Sequence, residues 1–149
     1  MKLPEQLFAI INPVMRFLLR SPLHGVLSDS LMLITFTGRK SGKQFTTPVR
    51  YIQDGDTVKC FTAAENQWWR NLRSGARVSL LIKGQLSDYQ AQAIFDDPAD
   101  IKQQLVSYLS LFPQDAAYHE IRLNKDKSLD EQDLELAAHN AIVVEAIPV

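Results

Sequence analysis

The sequence is poor in cysteine, in glycine-rich linkers and in long apolar runs, and each scarcity excludes a class of protein. Cys60 is the only cysteine of the 149 residues, so no internal disulfide and no cysteine zinc site can form. It lies in the alternating run V-K-C-F, which predicts a buried strand thiol, and this cysteine use fits a reducing cytoplasm. With no repeat and no linker, the length predicts one domain over residues 1–149.

The first twenty residues also lack a continuous apolar run. Pro4, Glu5, Pro13 and Arg16 interrupt them and no small-residue cleavage site follows, so we interpret the segment as mature protein that is too interrupted to span a bilayer. Its apolar residues recur at helical spacing, which predicts an amphipathic helix bent near Pro13. That helix either closes the core or a dimer seam, or makes peripheral contact with a membrane.

Acidic residues are scarce in the first half of the chain and basic residues in the second. Residues 1–83 hold twelve Lys and Arg against five Asp and Glu, whereas residues 84–149 hold four against twelve. Either the two halves attract each other, or the basic half serves an anionic ligand. A nucleic acid is not the expected partner, because the cations fall on a tight turn and a short helix rather than along one face.

Strand-like stretches dominate the remainder, and they predict an α+β protein with a six-stranded antiparallel barrel and flanking helices. An Asp54-Gly55 pair signals a hairpin, and Pro48 requires an edge strand or a bulge because it cannot donate to a ladder. The six predicted strands are residues 30–37, 45–52, 57–63, 77–82, 87–95 and 141–147.

Helix signals occur at three places. The stretch E-N-Q-W-W-R-N-L-R-S-G predicts a short helix that ends at Gly75. Asp97-Pro98-Ala99-Asp100 supplies an N-cap, a proline at the first helical position and an acid in the first turn, which predicts a helix to about Phe112. Ser128-x-x-Glu131 resembles a capping box for a helix over residues 130–138.

A turn at residues 38–43 concentrates positive charge, and no acid occurs among residues 38–50. The glycines at 38 and 42 permit positive φ and would let N–H groups point at an anion, while an arginine fork suits phosphate or carboxylate. The spacing is not that of a Walker loop. The alternative is a solvated hairpin turn. The cations expected to converge on one side are Arg39, Lys40, Lys43 and, on the following strand, Arg50.

Two adjacent tryptophans follow in W-W-R-N-L-R. Neighbouring residues on a helix diverge by about 100°, so we predict that one of Trp68 and Trp69 packs inward while the other faces a cleft. An exposed indole beside arginines would flank a planar aromatic ligand; the alternative is plain core packing. The three histidines lack metal-ligand spacing and no nucleophile elbow occurs. An enzyme built on this chain would therefore take its chemistry from a cofactor.

Four motifs together carry a resemblance to a known family: L-R-S-P-L-H-G at 19–25, T-G-R-K-S-G-K at 37–43, T-T-P-V-R-Y at 46–51 and W-W-R-N-L at 68–72. With them, the chain resembles the deazaflavin (F420)-dependent nitroreductases, which are small split-β-barrel proteins related to the flavin-binding pyridoxamine-phosphate oxidases. The resemblance implies a homodimeric split barrel that transfers a hydride from reduced F420 to a quinone, nitro compound or similar electron-poor molecule.

The resemblance also implies roles for individual residues. Tyr118 becomes a candidate proton donor, with a packed surface tyrosine as the alternative. The basic turn would hold the cofactor phosphate or acidic tail through Arg39, Lys40, Ser41 and Lys43. The second strand would approach the ring with Thr47, Pro48, Val49 and Arg50. The cover over the cofactor would come from Thr62, Ala63, Ala64, Trp68, Trp69 and Asn71.

Two alternatives stay open at the level of the sequence. The same barrel could use FMN, because a phosphate cradle beside aromatic rings suits both cofactors. The protein could also bind a cofactor or a hydrophobic small molecule without catalysis. Turnover of quinones by a reduced complex separates the enzyme from the binder.

Overall fold

The computed structural model describes residues 31–149, so the predicted N-terminal helix and the motif at 19–25 lie outside the described residues. Within this range one antiparallel sheet has the strand order β2-β1-β5-β6-β7-β4-β3. Its strands are β1 (Leu31–Thr37), β2 (Gln44–Arg50), β3 (Ile52–Asp54), β4 (Thr57–Ala63), β5 (Ala76–Ile82), β6 (Gln85–Ile94) and β7 (Ala141–Pro148).

The described sheet has seven strands, so the prediction of six was wrong. A single strand was predicted over residues 45–52, but the structure divides it at Tyr51 into β2 and β3. β2 pairs with β1, whereas β3 pairs with β4 at the other end of the sheet. Because one residue joins the two terminal strands, the sheet must curl back on itself into a barrel. Pro48 lies on the terminal strand β2, which confirms the edge-strand prediction.

Two hydrophobic clusters lie on opposite faces of the curled sheet. The inner cluster fills the barrel with alternate residues of the strands, such as Met32, Ile34 and Phe36 of β1, which are at most 2% exposed. The outer cluster lies between the sheet and two helices, α1 (Pro98–Leu111) and α2 (Glu131–Asn140). The outer cluster includes Val143 of β7, and Ile94 of β6 packs against it, so the helices cover the sheet where these two strands pair.

The predicted start of α1 is confirmed. The Asp97 side chain accepts a hydrogen bond from the backbone N–H of Asp100, and Pro98 occupies the first turn. The start of α2 differs from the prediction, because Asp130 rather than Ser128 caps it by accepting from the N–H of Asp133 at 2.9 Å. Ser128 instead donates through its hydroxyl to Asp126 at 2.6 Å, which removes it from the capping position.

Salt bridges fasten α2 to its surroundings. Lys102 of α1 pairs with Glu131 and Glu135 of α2. Arg122, in the loop before α2, pairs with Asp133 at 2.8 Å. No helix within residues 31–149 is long and apolar enough to cross a bilayer.

Candidate functional site

The turn between β1 and β2 is closed by its own backbone. The N–H of Gly38 donates to the carbonyl of Lys43 at 2.7 Å, and the N–H of Gly42 donates to the carbonyl of Gly38 at 2.9 Å. Gly42 has the expected positive φ of 71°, but Gly38 does not. Gly38 is needed for space, because a Cβ there would lie 2.8 Å from the Phe45 ring and 3.0 Å from the Ser41 hydroxyl.

The cations of this turn are exposed and have no acidic partner within the described part of the chain. Arg39, Lys40 and Lys43 form no salt bridge with any carboxylate of residues 31–149. The prediction that Arg50 joins them was wrong, because Arg50 is at the opposite end of β2, about 20 Å away along an extended strand. The positive charge of the turn is therefore available to an anion.

Residues 68–72 form a 3₁₀ helix, here called the tryptophan helix, and both of its indoles are buried. Trp68 is 4% and Trp69 3% exposed, so neither is an exposed indole, although Trp68 borders a cleft as predicted for one of the pair. Trp68 packs inside the barrel against Phe36, with ring centroids 5.9 Å apart, and Trp69 packs against Phe95 at 5.6 Å. Phe36 of β1 covers one indole and Phe95, directly after β6, covers the other, which a helical projection alone does not reveal.

Asn71 connects the basic turn to the tryptophan helix. Its Oδ1 accepts a hydrogen bond from the backbone N–H of Arg39 at 2.8 Å, and its Nδ2 donates to the carbonyl of Trp68 at 2.9 Å. The two stretches of sequence predicted to hold the cofactor are thus joined although 32 residues separate Arg39 from Asn71. The contact fixes the turn beside the helix.

A cleft of about 360 Å³ opens at the other end of β2. Trp68 borders it, so the tryptophan helix extends from the cleft to the basic turn. The cleft brings together seven of the predicted residues: Thr47, Pro48, Val49, Arg50, Thr62, Trp68 and Tyr118. Its wall also includes Tyr108 and three polar or titratable residues that the sequence analysis missed: Asn66, Asp115 and His119.

A second cavity, of about 720 Å³, lies on the other side of Tyr118 and His119, which line both spaces. Ala63 and Ala64, which were predicted near the cofactor ring, line this larger cavity instead of the cleft. Trp69 and the residues of the basic turn line neither space. The predicted set is therefore distributed over a turn, a cleft and a neighbouring cavity.

Asp115 organises the charged wall of the cleft. Its Oδ2 lies 2.9 Å from Arg50 Nε and accepts a hydrogen bond from the Tyr108 hydroxyl at 2.5 Å. The Arg50 guanidinium also lies over the Phe112 ring, 4.9 Å from its centroid. Burial, followed by the hydrogen bond to Asp115, raises the pKa of Tyr108, so this phenol stays protonated. No local sequence pattern predicts a role for Asp115 in the site, because its ion-pair partner Arg50 is far away in the sequence.

Tyr118 is held from the opposite wall. Asn66 donates from Nδ2 to the Tyr118 hydroxyl at 3.0 Å and to Thr62 Oγ1 at 2.7 Å. The Tyr118 side chain is not packed away, since the residue is 41% exposed. It therefore combines a fixed hydroxyl position with access to solvent and to both cavities.

His119 is half-buried and packs edge-on against Tyr118, with ring centroids 5.0 Å apart. Burial lowers the pKa of this imidazole to about 4, and the nearby charge of Asp115 acts in the opposite direction. The ring is therefore neutral at pH 7 and can accept one hydrogen bond.

We expect His119 to make stability fall in mild acid. Between pH 6.5 and about 4 the unfolded chain binds a proton that the folded chain does not, so the free energy of unfolding decreases as pH falls through this window. Allowing for partial exposure, the loss is about 1–2 kcal/mol. Urea unfolding at several pH values should show a flatter profile for His119→Gln, whereas the exposed His139→Gln should keep the wild-type slope. Equal slopes for all three proteins would contradict this prediction.

The buried thiol behaves as predicted. Cys60 is 1% exposed, and burial raises its pKa to about 12, which leaves an unreactive thiol. Among the residues that the structure describes, no group of three or more His, Cys, Asp or Glu side chains is arranged to hold a metal ion.

Solved structures share the overall architecture. A FAD-binding protein from Mesorhizobium loti is 14% identical with a TM-score of 0.53, covering 87% of this chain and 90% of that one. A candidate pyridoxamine 5'-phosphate oxidase from Listeria innocua is 11% identical with a TM-score of 0.51, covering 93% of each chain. A solved F420-H2-dependent reductase, 18% identical with a TM-score of 0.49, covers 78% of this chain and 94% of that one. The two structures from Mesorhizobium loti and Listeria innocua show that the fold is the antiparallel split-barrel type found in flavin-binding proteins.

The sequence match is more specific than the fold. Residues 21–120 match the family of F420H(2)-dependent quinone reductases, and the chain belongs to this family. The predicted relationship to F420-dependent reductases is confirmed, as are the assignment to an enzyme family of oxidoreductases and the deazaflavin F420 as cofactor. No curated protein sequence is significantly similar to the chain.

Proposed function

We propose that this oxidoreductase uses reduced F420 to reduce a quinone, a nitro compound or a similar electron-poor small molecule at the cleft between β2 and Tyr118. The observation that carries the proposal is the physical continuity of the site. Asn71 fixes the basic turn, whose cations form no salt bridge within residues 31–149, to the tryptophan helix, and the first residue of that helix, Trp68, borders the cleft. A long cofactor with an anionic tail can thus contact both ends.

The basic turn fits the anionic part of the cofactor. Arg39, Lys40 and Lys43 have no competing carboxylate among residues 31–149, and Arg39 offers a fork that matches phosphate or carboxylate oxygens. The hydroxyl of Ser41 accepts from the N–H of Lys43 at 3.2 Å, so its own hydrogen can be donated outward.

The cleft fits a flat ring. Within residues 31–149, β2 is a terminal strand, so the alternate backbone polar groups that face away from β1 along Thr47, Pro48 and Val49 are placed to meet a ligand in the cleft. Trp68 and Phe61 give the cleft an apolar wall, which excludes water from the reacting atoms. Thr62, Ala63, Ala64 and Asn71 remain predicted cofactor contacts, whereas the burial of Trp69 favours a structural role.

The remaining chemistry is one proton transfer. When bound, the reduced deazaflavin supplies the hydride. A quinone that gains a hydride must also gain a proton to become a hydroquinone. Tyr118 lies at the boundary of the cleft, and its O–H bond breaks as the new O–H bond forms on the quinone oxygen. Because Tyr118 is 41% exposed, water returns the proton to its phenolate.

Turnover by the reconstituted protein tests this proposal. We expect purified protein to oxidise reduced F420 when menadione or a nitroaromatic compound is added, followed by the recovery of the absorbance of oxidised F420. FMN in place of F420 should support no comparable rate. Tight F420 binding without turnover of any acceptor would instead support a non-catalytic binding protein.

We further propose that residues 1–149 form a single domain that acts in the cytoplasm as a homodimer. The exposed apolar side chains of Leu86, Ile147 and Val149, which are 56–66% exposed on β6 and at the end of β7, support a self-associating surface. Light scattering coupled to gel filtration would report the mass directly.

A further inference from the structure

We infer that Asn66 is a positioning residue that orients the Tyr118 hydroxyl, so that its hydrogen points away from the protein and toward the acceptor substrate. This inference rests on the proposed function, because it assigns a partner to the proposed proton donor. Asn66 belongs to none of the motifs that carry the family resemblance.

Asn66 is itself held firmly. Its backbone N–H donates to the carbonyl of Ala63 at 3.0 Å, directly after β4 ends. Its side-chain Nδ2 donates to Thr62 Oγ1 at 2.7 Å and to the Tyr118 hydroxyl at 3.0 Å. Thr62 is 3% exposed, so this anchor lies in the barrel wall. The amide thus connects a rigid strand end to Tyr118, 52 residues away in sequence.

The direction of this hydrogen bond determines what Tyr118 can do. A phenol has one hydrogen to donate, and an amide NH₂ can only donate. Because the Tyr118 oxygen accepts from Asn66, its single hydrogen is left for another acceptor. Thr62, Asn66 and Tyr118 all line the cleft of about 360 Å³, so a carbonyl or nitro oxygen placed there can accept this hydrogen.

An acceptor at position 66 would reverse this arrangement. Aspartate has nearly the same shape as asparagine, but an ionised carboxylate can only accept hydrogen bonds. In Asn66→Asp, the Tyr118 hydrogen would be donated to the carboxylate and withheld from the substrate. The isosteric variant should therefore resemble loss of the hydroxyl, although the side chain still fills its site.

Steady-state kinetics with reduced F420 and menadione test the inference. We expect Asn66→Asp and Tyr118→Phe each to lower kcat about 10- to 100-fold with little change in the KM for F420. The double variant should be no slower than Tyr118→Phe alone. In Asn66→Ala the Tyr118 hydroxyl is no longer oriented but can still donate to the substrate, so kcat should fall less than in Asn66→Asp. Gln67→Glu, which adds the same charge at an exposed neighbouring residue, should match the wild type.

A second readout does not depend on turnover. Menadione binding to the cofactor-free protein, followed by tryptophan quenching, should weaken about fivefold in Asn66→Asp and in Tyr118→Phe. Thermal unfolding identifies any variant that fails to fold. If Asn66→Asp does not fold, Asn66→Ala replaces it in the double-mutant cycle with Tyr118→Phe. Menadione binding serves as the test if the wild type has no turnover, a result that would count against the proposed function alone. Wild-type kcat and affinity in Asn66→Asp, or losses that add in the double variant, would overturn the inference.

Discussion

Replacing Arg39 and Lys40 together with alanine is expected to weaken the binding of F420 by about 100- to 10,000-fold. Each charge-assisted hydrogen bond lost costs roughly 1.5–3 kcal/mol, and two such losses correspond to this range. Both side chains are exposed and unpaired within residues 31–149, so their removal leaves no buried carboxylate uncompensated. Titration followed by the fluorescence of Trp68, which borders the cleft, measures the change.

The matched control is Lys125→Ala with Lys127→Ala, which removes two exposed cations from the loop before α2. This variant should retain wild-type affinity. A ring fragment of the cofactor that lacks the phosphate and acidic tail should bind the wild type and the Arg39 and Lys40 variant equally well. Wild-type affinity should also fall as salt is added, because the contacts are exposed. An unchanged dissociation constant for F420 in the double variant would disprove the proposed phosphate cradle.

Trp69→Ala should lower the free energy of unfolding by about 3–5 kcal/mol, as large aromatic truncations in cores do. The indole is 3% exposed, packs on Phe95 and donates from Nε1 to the carbonyl of Ala64 at 3.1 Å. The guanidinium groups of Arg70 and Arg73 also lie within 6 Å of its ring. Urea denaturation gives the loss directly.

Leu136→Ala provides the comparison, because this leucine is 64% exposed on α2 and its truncation should change stability by less than about 0.5 kcal/mol. Trp69→Phe keeps the ring but loses the N–H donor, and it should fall between the two. A loss below about 1.5 kcal/mol for Trp69→Ala would show that the tryptophan helix contributes little to the core.

Local signals predicted most of the elements correctly. The first helix follows from the Asp97 cap and Pro98, and the β3–β4 hairpin follows from Asp54-Gly55, whose glycine has φ 62°. The capping-box prediction was wrong because Ser128 and Asp130, two residues apart, are both candidate caps. Ser128 donates its hydroxyl hydrogen to Asp126, and Asp130 caps the helix. Helix caps and tight turns depend on residues that are close in the sequence, so the sequence alone is enough to predict them.

The errors arise where distant segments decide the outcome. The break at Tyr51 follows from pairing with strands at opposite ends of the sheet, which periodicity in residues 45–52 cannot reveal. Both indoles are buried because Phe36 of β1 and Phe95, directly after β6, pack against them from distant parts of the sequence. Likewise, the motifs located the turn and the second strand, but no motif indicated Asn66 or Asp115.

The hydrogen bond by which Asn71 holds the basic turn comes from the peptide N–H of residue 39 and not from its side chain. Every amino acid except proline has this backbone hydrogen, so residue 39 can be substituted without loss of the hydrogen bond to Asn71. The choice of anion is therefore independent of the structure of the turn. Related enzymes could carry a different charge at this position to suit cofactor tails of another length or charge, and the barrel would keep its structure.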